Sequence, residues 1–148
     1  MAQPDPNSIY AITDSGGRPI QCQNSQGINV YTADSLNNDK NQDWNISSPA
    51  ITLLSCTLDD GTTLYLGATS FSEGADVQTY LLGLDPINCF WQCNDDGSIE
   101  LLDEGAPTGY LLNSLMPGFT NQLKVSKNAP KQTWTWNKKS QKGGGTTP

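Results

Sequence analysis

The chain of 148 residues contains no histidine. This absence excludes Ser-His-Asp and Cys-His catalytic arrangements, and with them any zinc or iron site held by imidazole. Hydrophobic residues make up only 35% of the chain. No apolar run approaches the roughly 18 residues that a membrane-spanning helix needs. Most classes of enzyme are therefore disfavoured, and insertion into a membrane is not expected.

Charge is also scarce, at 16% of residues, and bases are rarer than acids. All 15 acidic residues and only two basic ones, Arg18 and Lys40, lie in residues 1–123, whereas residues 124–148 carry six lysines. An acidic body would repel a phosphate backbone, so nucleic acid is not expected as a partner. Residues 138–148 are predicted to form a disordered, solubilising tail, and residues 1–6 a short N-terminal arm.

Uncharged polar residues fill the space that charged and apolar residues leave. Asn, Gln, Ser and Thr together number 50, and 14 Gly and nine Pro interrupt the chain often. This composition disfavours a helical bundle and is compatible with one domain. The four cysteines form no Cys-x-x-Cys pair, so we expect reduced, buried thiols. Because no secretory signal is visible, a cytoplasmic location is expected, with non-classical secretion as the alternative.

Tryptophan recurs at a regular interval along the chain. Trp44, Trp91 and Trp134 are 47 and 43 residues apart, and each follows a similar polar segment. Short runs of alternating polarity and Gly-rich turns recur in phase with them, which is typical of strands. The pattern predicts three repeats of four strands each, at about residues 7–49, 50–96 and 97–137.

Each repeat is too small to bury its own apolar face, so the three are expected to pack about a pseudo-threefold axis with the tryptophans as buried anchors. Asn41-Gln42-Asp43-Trp44 and Gln132-Thr133-Trp134 are Gln-x-Trp-type motifs, and Asn88-Cys89-Phe90-Trp91 is a variant of them. Three such motifs in phase resemble the β-trefoil of ricin-B-type (R-type) lectins. The resemblance implies an all-β fold of twelve strands over residues 7–137. The absence of a signal and of a disulfide framework resembles the fungal cytosolic members of that family.

In that family each repeat can hold one galactose-type sugar in a shallow pocket. An acidic side chain after the second strand, an aromatic ring at the end of the third strand and an amide before the Trp contact the sugar. Carried over to repeats one and two, the resemblance implies these sugar-binding residues: Gln23, Tyr31, Asn41, Gln42, Asp76, Tyr80 and Asn88. The acidic position of repeat two is Gly67, and Asp34, Asp39, Asp76 and Asp85 are nearby acids that could substitute. Repeat three is expected to be degenerate, because it has Asn113, Ser126, Lys131 and Gln132 at these positions.

The function implied is a non-catalytic lectin that binds galactose- or N-acetylgalactosamine-terminated glycans of glycoproteins or glycolipids. No metal or other cofactor is expected. Two pockets on one chain, or one on each chain of a homodimer, would suffice to cross-link cells. The alternative is a β-trefoil protease inhibitor that presents a loop around Arg18 or Met116 to its target. An enzyme is disfavoured, because the pairs Asp59-Asp60 and Asp95-Asp96 each precede Gly, as turn residues do.

Overall fold

The computed structural model describes residues 4–23, 25–37, 40–48, 50–81 and 88–141. Within these ranges the chain forms twelve strands and one 3-10 turn, Lys40–Gln42. The strands are β1 Ser8–Thr13, β2 Ile20–Gln21, β3 Tyr31–Thr32, β4 Trp44–Ile46, β5 Leu54–Thr57, β6 Thr63–Ala68, β7 Val77–Tyr80, β8 Trp91–Cys93, β9 Ile99–Asp103, β10 Ala106–Asn113, β11 Lys124–Ser126 and β12 Thr135–Gln141. No helix in the described part of the chain is long and apolar enough to cross a membrane.

The strands fall into the three predicted repeats, β1–β4, β5–β8 and β9–β12. The first and last strands of neighbouring repeats pair antiparallel, β12 with β1, β4 with β5 and β8 with β9. The second and third strands of each repeat form a hairpin, β2–β3, β6–β7 and β10–β11. This arrangement of six ring-forming strands and three hairpins is a β-trefoil, as the sequence predicts.

The pseudo-threefold axis is visible in the backbone itself. The amide of Val30 donates to the carbonyl of Val77, Val77 donates to Leu123, and Leu123 donates back to Val30, at 2.9, 3.1 and 2.8 Å. All three side chains are fully buried. The closed cycle ties one hairpin of every repeat to the next, so the repeats form a single core.

The three repeat tryptophans are buried in equivalent positions, as predicted. Each has 0% of its surface exposed. Their indole Nε1 groups donate to backbone carbonyls on the second strand of the same repeat: Trp44 to Ile20 at 2.9 Å, Trp91 to Leu66 at 2.8 Å and Trp134 to Leu112 at 3.3 Å. Burial of a large ring together with a satisfied N–H is what a core anchor requires.

The last strand ends later than the sequence suggests. The prediction ended the domain at residue 137, but β12 continues to Gln141, whose Cα lies opposite that of Ser8 in β1. Lys139 also forms an ion pair with Asp43. Backbone pairing and this ion pair keep Lys138 and Lys139 in the sheet, although neither has an apolar side chain. Residues 1–3 of the predicted arm and 142–148 of the predicted tail lie outside the described residues.

All four cysteines are free and buried, as expected. The pKa of the Cys56 thiol is raised, first by its hydrogen bond with Cys22 and then by burial. Burial alone raises the pKa of Cys93 to about 12. Such thiols stay protonated at neutral pH and are poor nucleophiles.

Candidate functional site

The tryptophan hydrogen bonds show which residues of the three repeats are equivalent. Since the carbonyls of Ile20, Leu66 and Leu112 accept equivalent bonds, the residues that follow them, Gln21, Gly67 and Asn113, are equivalent too. The sequence predicts Gln23 at the acidic position of repeat one, which is two residues too far along the chain. The two-residue β2 explains the slip, because so short a strand gives no clear end in the sequence. The Gln23 side chain instead donates to the carbonyl of Gln21 at 3.4 Å.

The third strands can be aligned in the same way. Gln21 pairs with Tyr31, Gly67 with Gln78 and Asn113 with Lys124. The stacking position, two residues further along, is therefore Ala33, Tyr80 or Ser126 in the three repeats. The sequence places the stacking position of repeat one between Tyr31 and Ala33, so that Tyr31 serves only if the register slips by two; in the structure Tyr31 lies two residues earlier, opposite Gln21. Only repeat two has an aromatic ring at the stacking position.

The candidate residues of repeat two lie together. A Cβ atom built on Gly67 would be 3.2 Å from the backbone oxygen of Asn88 and 3.3 Å from Cδ2 of Tyr80. Asn88 pairs with Ala68, whose amide donates to its carbonyl at 2.9 Å. The Tyr80 hydroxyl donates to Gln78 Oε1 at 3.0 Å, which fixes the ring. At the position where ricin-B-type lectins have an acidic side chain, repeat two has Gly67, which has no side chain and lies against the edge of the Tyr80 ring.

The Asn88 side chain retains hydrogen-bonding capacity in this site. Its Nδ2 makes one long bond, 3.4 Å, to the carbonyl of Ala68. Among the described residues no donor is bonded to its Oδ1 atom. A half-buried amide next to a fixed aromatic ring can offer an acceptor to a hydroxyl-rich ligand.

The two candidate amides of repeat one differ in their hydrogen bonding. Gln42 is 0% exposed: its Nε2 donates to Gln21 Oε1 at 2.8 Å and to the carbonyl of Ser35 at 3.2 Å, and its Oε1 accepts from the amide of Asn37 at 2.8 Å. Asn41 Oδ1 is buried and has no hydrogen-bond partner in the described part of the chain. Gln42 thus holds the loop of residues 35–37 against β2, and its amide is not available to a ligand.

Repeat three contains a pocket, although the sequence favoured the other two repeats. Its volume is about 420 Å³, and its lining combines equivalents of the family positions with apolar residues: Ser15, Asn113, Leu115, Pro117, Ala129, Pro130, Lys131, Gln132 and Thr133. The polar side chains Lys131 and Gln132 of this pocket are already bonded to other groups of the protein. Lys131 Nζ lies 2.7 Å from Asp96 Oδ2, and Gln132 Oε1 accepts from the amide of Ser114 at 2.7 Å. The pocket itself could not be predicted from the sequence, since Ser15 of repeat one and two separate loops of repeat three form its walls.

Charged partners explain the remaining positions of repeat three. The Asp96 pKa is held well below its usual range by the Lys131 ammonium and by bonds from Ser98. Ser126, at the stacking position, donates to Glu73, which also accepts from the amide of Lys127 at 2.7 Å. Glu73 belongs to the loop between β6 and β7 of repeat two. This loop therefore contacts the stacking position of repeat three, which is equivalent to Tyr80 in repeat two.

The candidate acids differ in their surroundings. Asp76 Oδ1 lies 2.7 Å from Lys124 Nζ and 3.0 Å from Gln122 Nε2, so it belongs to the contact between repeats two and three. Asp34 is exposed. Asp39 and Asp85 lie outside the described residues. Within the described ranges no three acidic or cysteine side chains are grouped to hold a metal ion.

Comparison with known proteins agrees with this geometry at the level of the fold. A designed threefold-symmetric protein, ThreeFoil, matches with a TM-score of 0.66 and 20% identity, over 87% of this chain and 97% of that one. The ricin B-like lectin of Macrolepiota procera, solved in complex with lactose, matches with a TM-score of 0.61 and 15% identity, over 92% and 99% of the two chains. The Polyporus squamosus lectin, bound to Neu5Aca2-6Galb1-4GlcNAc, matches with a TM-score of 0.69 and 16% identity, over 90% of this chain but only 50% of its own.

Likeness at these identities demonstrates the β-trefoil fold alone. The present chain spans about half the length of the Polyporus squamosus lectin. No protein-family model and no curated protein matches the chain.

Proposed function

We propose that this chain is a non-catalytic lectin that binds galactose- or N-acetylgalactosamine-terminated glycans at repeat two. The observation that carries the proposal is the convergence of Tyr80, Asn88 and Gly67, since no other repeat has a ring at the stacking position. A fixed ring offers a flat apolar surface to the CH face of a pyranose, and the neighbouring amide offers polar groups to its hydroxyls. The lactose complex of the Macrolepiota procera lectin supports the choice of sugar.

One carboxylate of each of the pairs Asp59-Asp60 and Asp95-Asp96 has a structural role. Asp60 Oδ1 accepts from the amide of Thr62 at 2.9 Å, and Asp96 Oδ1 accepts from the amide of Ser98 at 2.9 Å. Both bonds close turns, as the sequence suggested. Binding without catalysis is therefore the simpler function, and it needs only neutral groups and no metal. Lactose affinity is expected to be the same before and after treatment with a chelator.

Calorimetric titration with lactose tests the proposal directly. Because single shallow pockets bind weakly, a dissociation constant in the millimolar range, about −4 kcal/mol, is expected for the unaltered chain. Tyr80→Ala should abolish measurable binding. The matched control is Phe71→Ala, which removes an exposed ring from the turn between β6 and β7 and should leave binding unchanged. No detectable lactose or N-acetylgalactosamine binding by the unaltered chain would refute the proposal.

Protease inhibition remains the second candidate function, because the loop around Met116 forms an exposed tight turn that could enter a protease active site. Met116 and Phe119 are bridged by a 2.9 Å backbone bond, with Gly118 at φ 85° between them, which makes a tight turn. The flanking Leu115 and Phe119 are about half exposed, at 49% and 48%. By contrast, Arg18 is held by Asp14 at 3.2 Å, so its loop is less suited to insertion into a protease. Titration of trypsin and of a papain-type protease distinguishes this function from sugar binding.

A further inference from the structure

Six side chains surround the pseudo-threefold axis on the face of the hairpins opposite to the core. They alternate along the chain with the buried residues Val30, Val77 and Leu123, so they point away from the core. Three bridges pair them across repeat boundaries: Asn29 with Gln78, Asp76 with Lys124, and Gln122 with Tyr31. By the threefold register, Tyr31, Gln78 and Lys124 occupy one equivalent position, and Asn29, Asp76 and Gln122 the other.

The three pairs are chemically different. Lys124 is almost completely buried; it forms an ion pair with Asp76, donates to the carbonyl of Gly74 at 3.2 Å and lies 4.1 Å from the centre of the Phe119 ring. This side of the axis is therefore closed by charge pairing and by an aromatic cover. The Asn29–Gln78 pair, joined at 2.9 Å, has no charge. Asn29 and Gln78 are both partly exposed.

The Asn29–Gln78 pair connects the repeat-two site to a second aromatic ring, that of Tyr31. From Tyr80 a hydrogen bond leads to Gln78 at 3.0 Å, and from Gln78 another leads to Asn29 at 2.9 Å. Tyr31 lies two residues beyond Asn29 on the same face, about 6.5–7 Å further on. Tyr31 has 40% of its surface exposed. We call the row Tyr80, Gln78, Asn29 and Tyr31 the amide track.

Two aromatic rings joined by half-exposed neutral amides have the chemistry that an extended glycan requires. Amides bond hydroxyls in either direction without the desolvation cost of an ion, and exposed rings pack against the apolar faces of sugars. We propose that the amide track binds the inner residues of a neutral oligosaccharide whose terminal galactose occupies the repeat-two site, with Tyr31 contacting the sugar furthest from that end. This inference rests on the proposed function and extends it from a single sugar to a chain.

The test compares lactose with lacto-N-neotetraose, a neutral tetrasaccharide that presents the same terminal galactose linkage on a longer chain. Calorimetry on the unaltered protein should give an affinity about three- to tenfold higher for the tetrasaccharide, the effect of one added aromatic contact. Tyr31→Ala should remove that gain and leave lactose affinity unchanged, which also shows that the variant is folded. Phe71→Ala, which removes another exposed aromatic ring, should retain the full gain.

The outcomes separate the two proposals. Equal affinity for the two sugars, or a tetrasaccharide gain that survives in Tyr31→Ala, would overturn the amide track while lactose binding still upholds the proposed function. Failure of the unaltered protein to bind either sugar would refute the proposed function and the amide track with it.

Discussion

Single residues distinguish the site proposed in repeat two from the equivalent positions of the other repeats. At the stacking position the three repeats have Ala33, Tyr80 and Ser126. At the amide position, three residues before the tryptophan, they have Asn41, Asn88 and Lys131. The indole-to-carbonyl bond that the three repeats share makes these positions equivalent. Under the proposed function, a difference in binding between the repeats would follow from the side chains at these positions.

Replacing Trp91 tests the anchor role at this scale. Trp91→Ala should lower the free energy of unfolding by about 3–5 kcal/mol, because it removes a fully buried ring and leaves a cavity. The loss would be a large part of the total stability of a domain this size. Urea denaturation measures it, with Trp136→Ala as the control, since Trp136 is only partly buried. Equal losses in the two variants would contradict the assignment.

Gly67 allows a second test at the residue scale. A Cβ at this position would press on Tyr80 Cδ2 at 3.3 Å and on the backbone oxygen of Asn88 at 3.2 Å, so one of them must shift. Gly67→Ala should cost about 1 kcal/mol of stability through overpacking and weaken lactose binding by displacing the ring. A variant that binds lactose like the unaltered chain would show that the Tyr80 ring position does not matter.

The sequence was informative where residue type alone determines position. The buried tryptophans and Tyr80 could be placed from spacing, because each repeat carries a strong apolar signal in phase. The positions of Gln23 and Tyr31 could not be defined from the sequence, because β2 and β3 have two residues each, too few to set a register. Gln42 is predicted from the sequence to bind sugar, and only the fold shows that its amide is buried.

At the scale of elements, contacts between loops and strands decide which surfaces are open. The ion pair between Asp96 and Lys131 joins the turn between repeats two and three to the segment before β12. Similarly, the backbone pairing of β12 with β1 carries the sheet to Gln141, which the composition of the lysine-rich end could not predict.

The Asp96 contact predicts a pH dependence. Its pKa is lowered in the folded state by Lys131 and Ser98, so it stabilises the fold above the pKa of an unfolded aspartate, and this contribution disappears as the pH falls through the folded value. Asp96→Asn should therefore be less stable than the unaltered chain at pH 7. The difference should shrink as the pH is lowered from about 5 toward 2. Urea denaturation across that range measures it; a difference that stays constant with pH would contradict the assigned role.

At the scale of the whole molecule, the cycle of backbone bonds through Val30, Val77 and Leu123 makes three weakly similar repeats into one fold. Three repeats could be predicted from the tryptophan interval and the strand patterns in phase with it, and the trefoil from the resemblance of the Gln-x-Trp-type motifs to ricin-B-type lectins. The pocket of repeat three and the amide track could not, because both are assembled from residues of different repeats that no local pattern connects.

The most direct test of the central claim is a lactose titration followed by two-dimensional ¹H–¹⁵N NMR of the unaltered protein. The account predicts that the largest shifts fall on the backbone amides of Gly67, Tyr80 and Asn88 and on the side-chain amide of Asn88, with only small shifts around Asn113 and Lys131. Shifts concentrated at Asn113, Lys131 and Thr133, or none up to about 10 mM lactose, a concentration well above the expected dissociation constant, would contradict it.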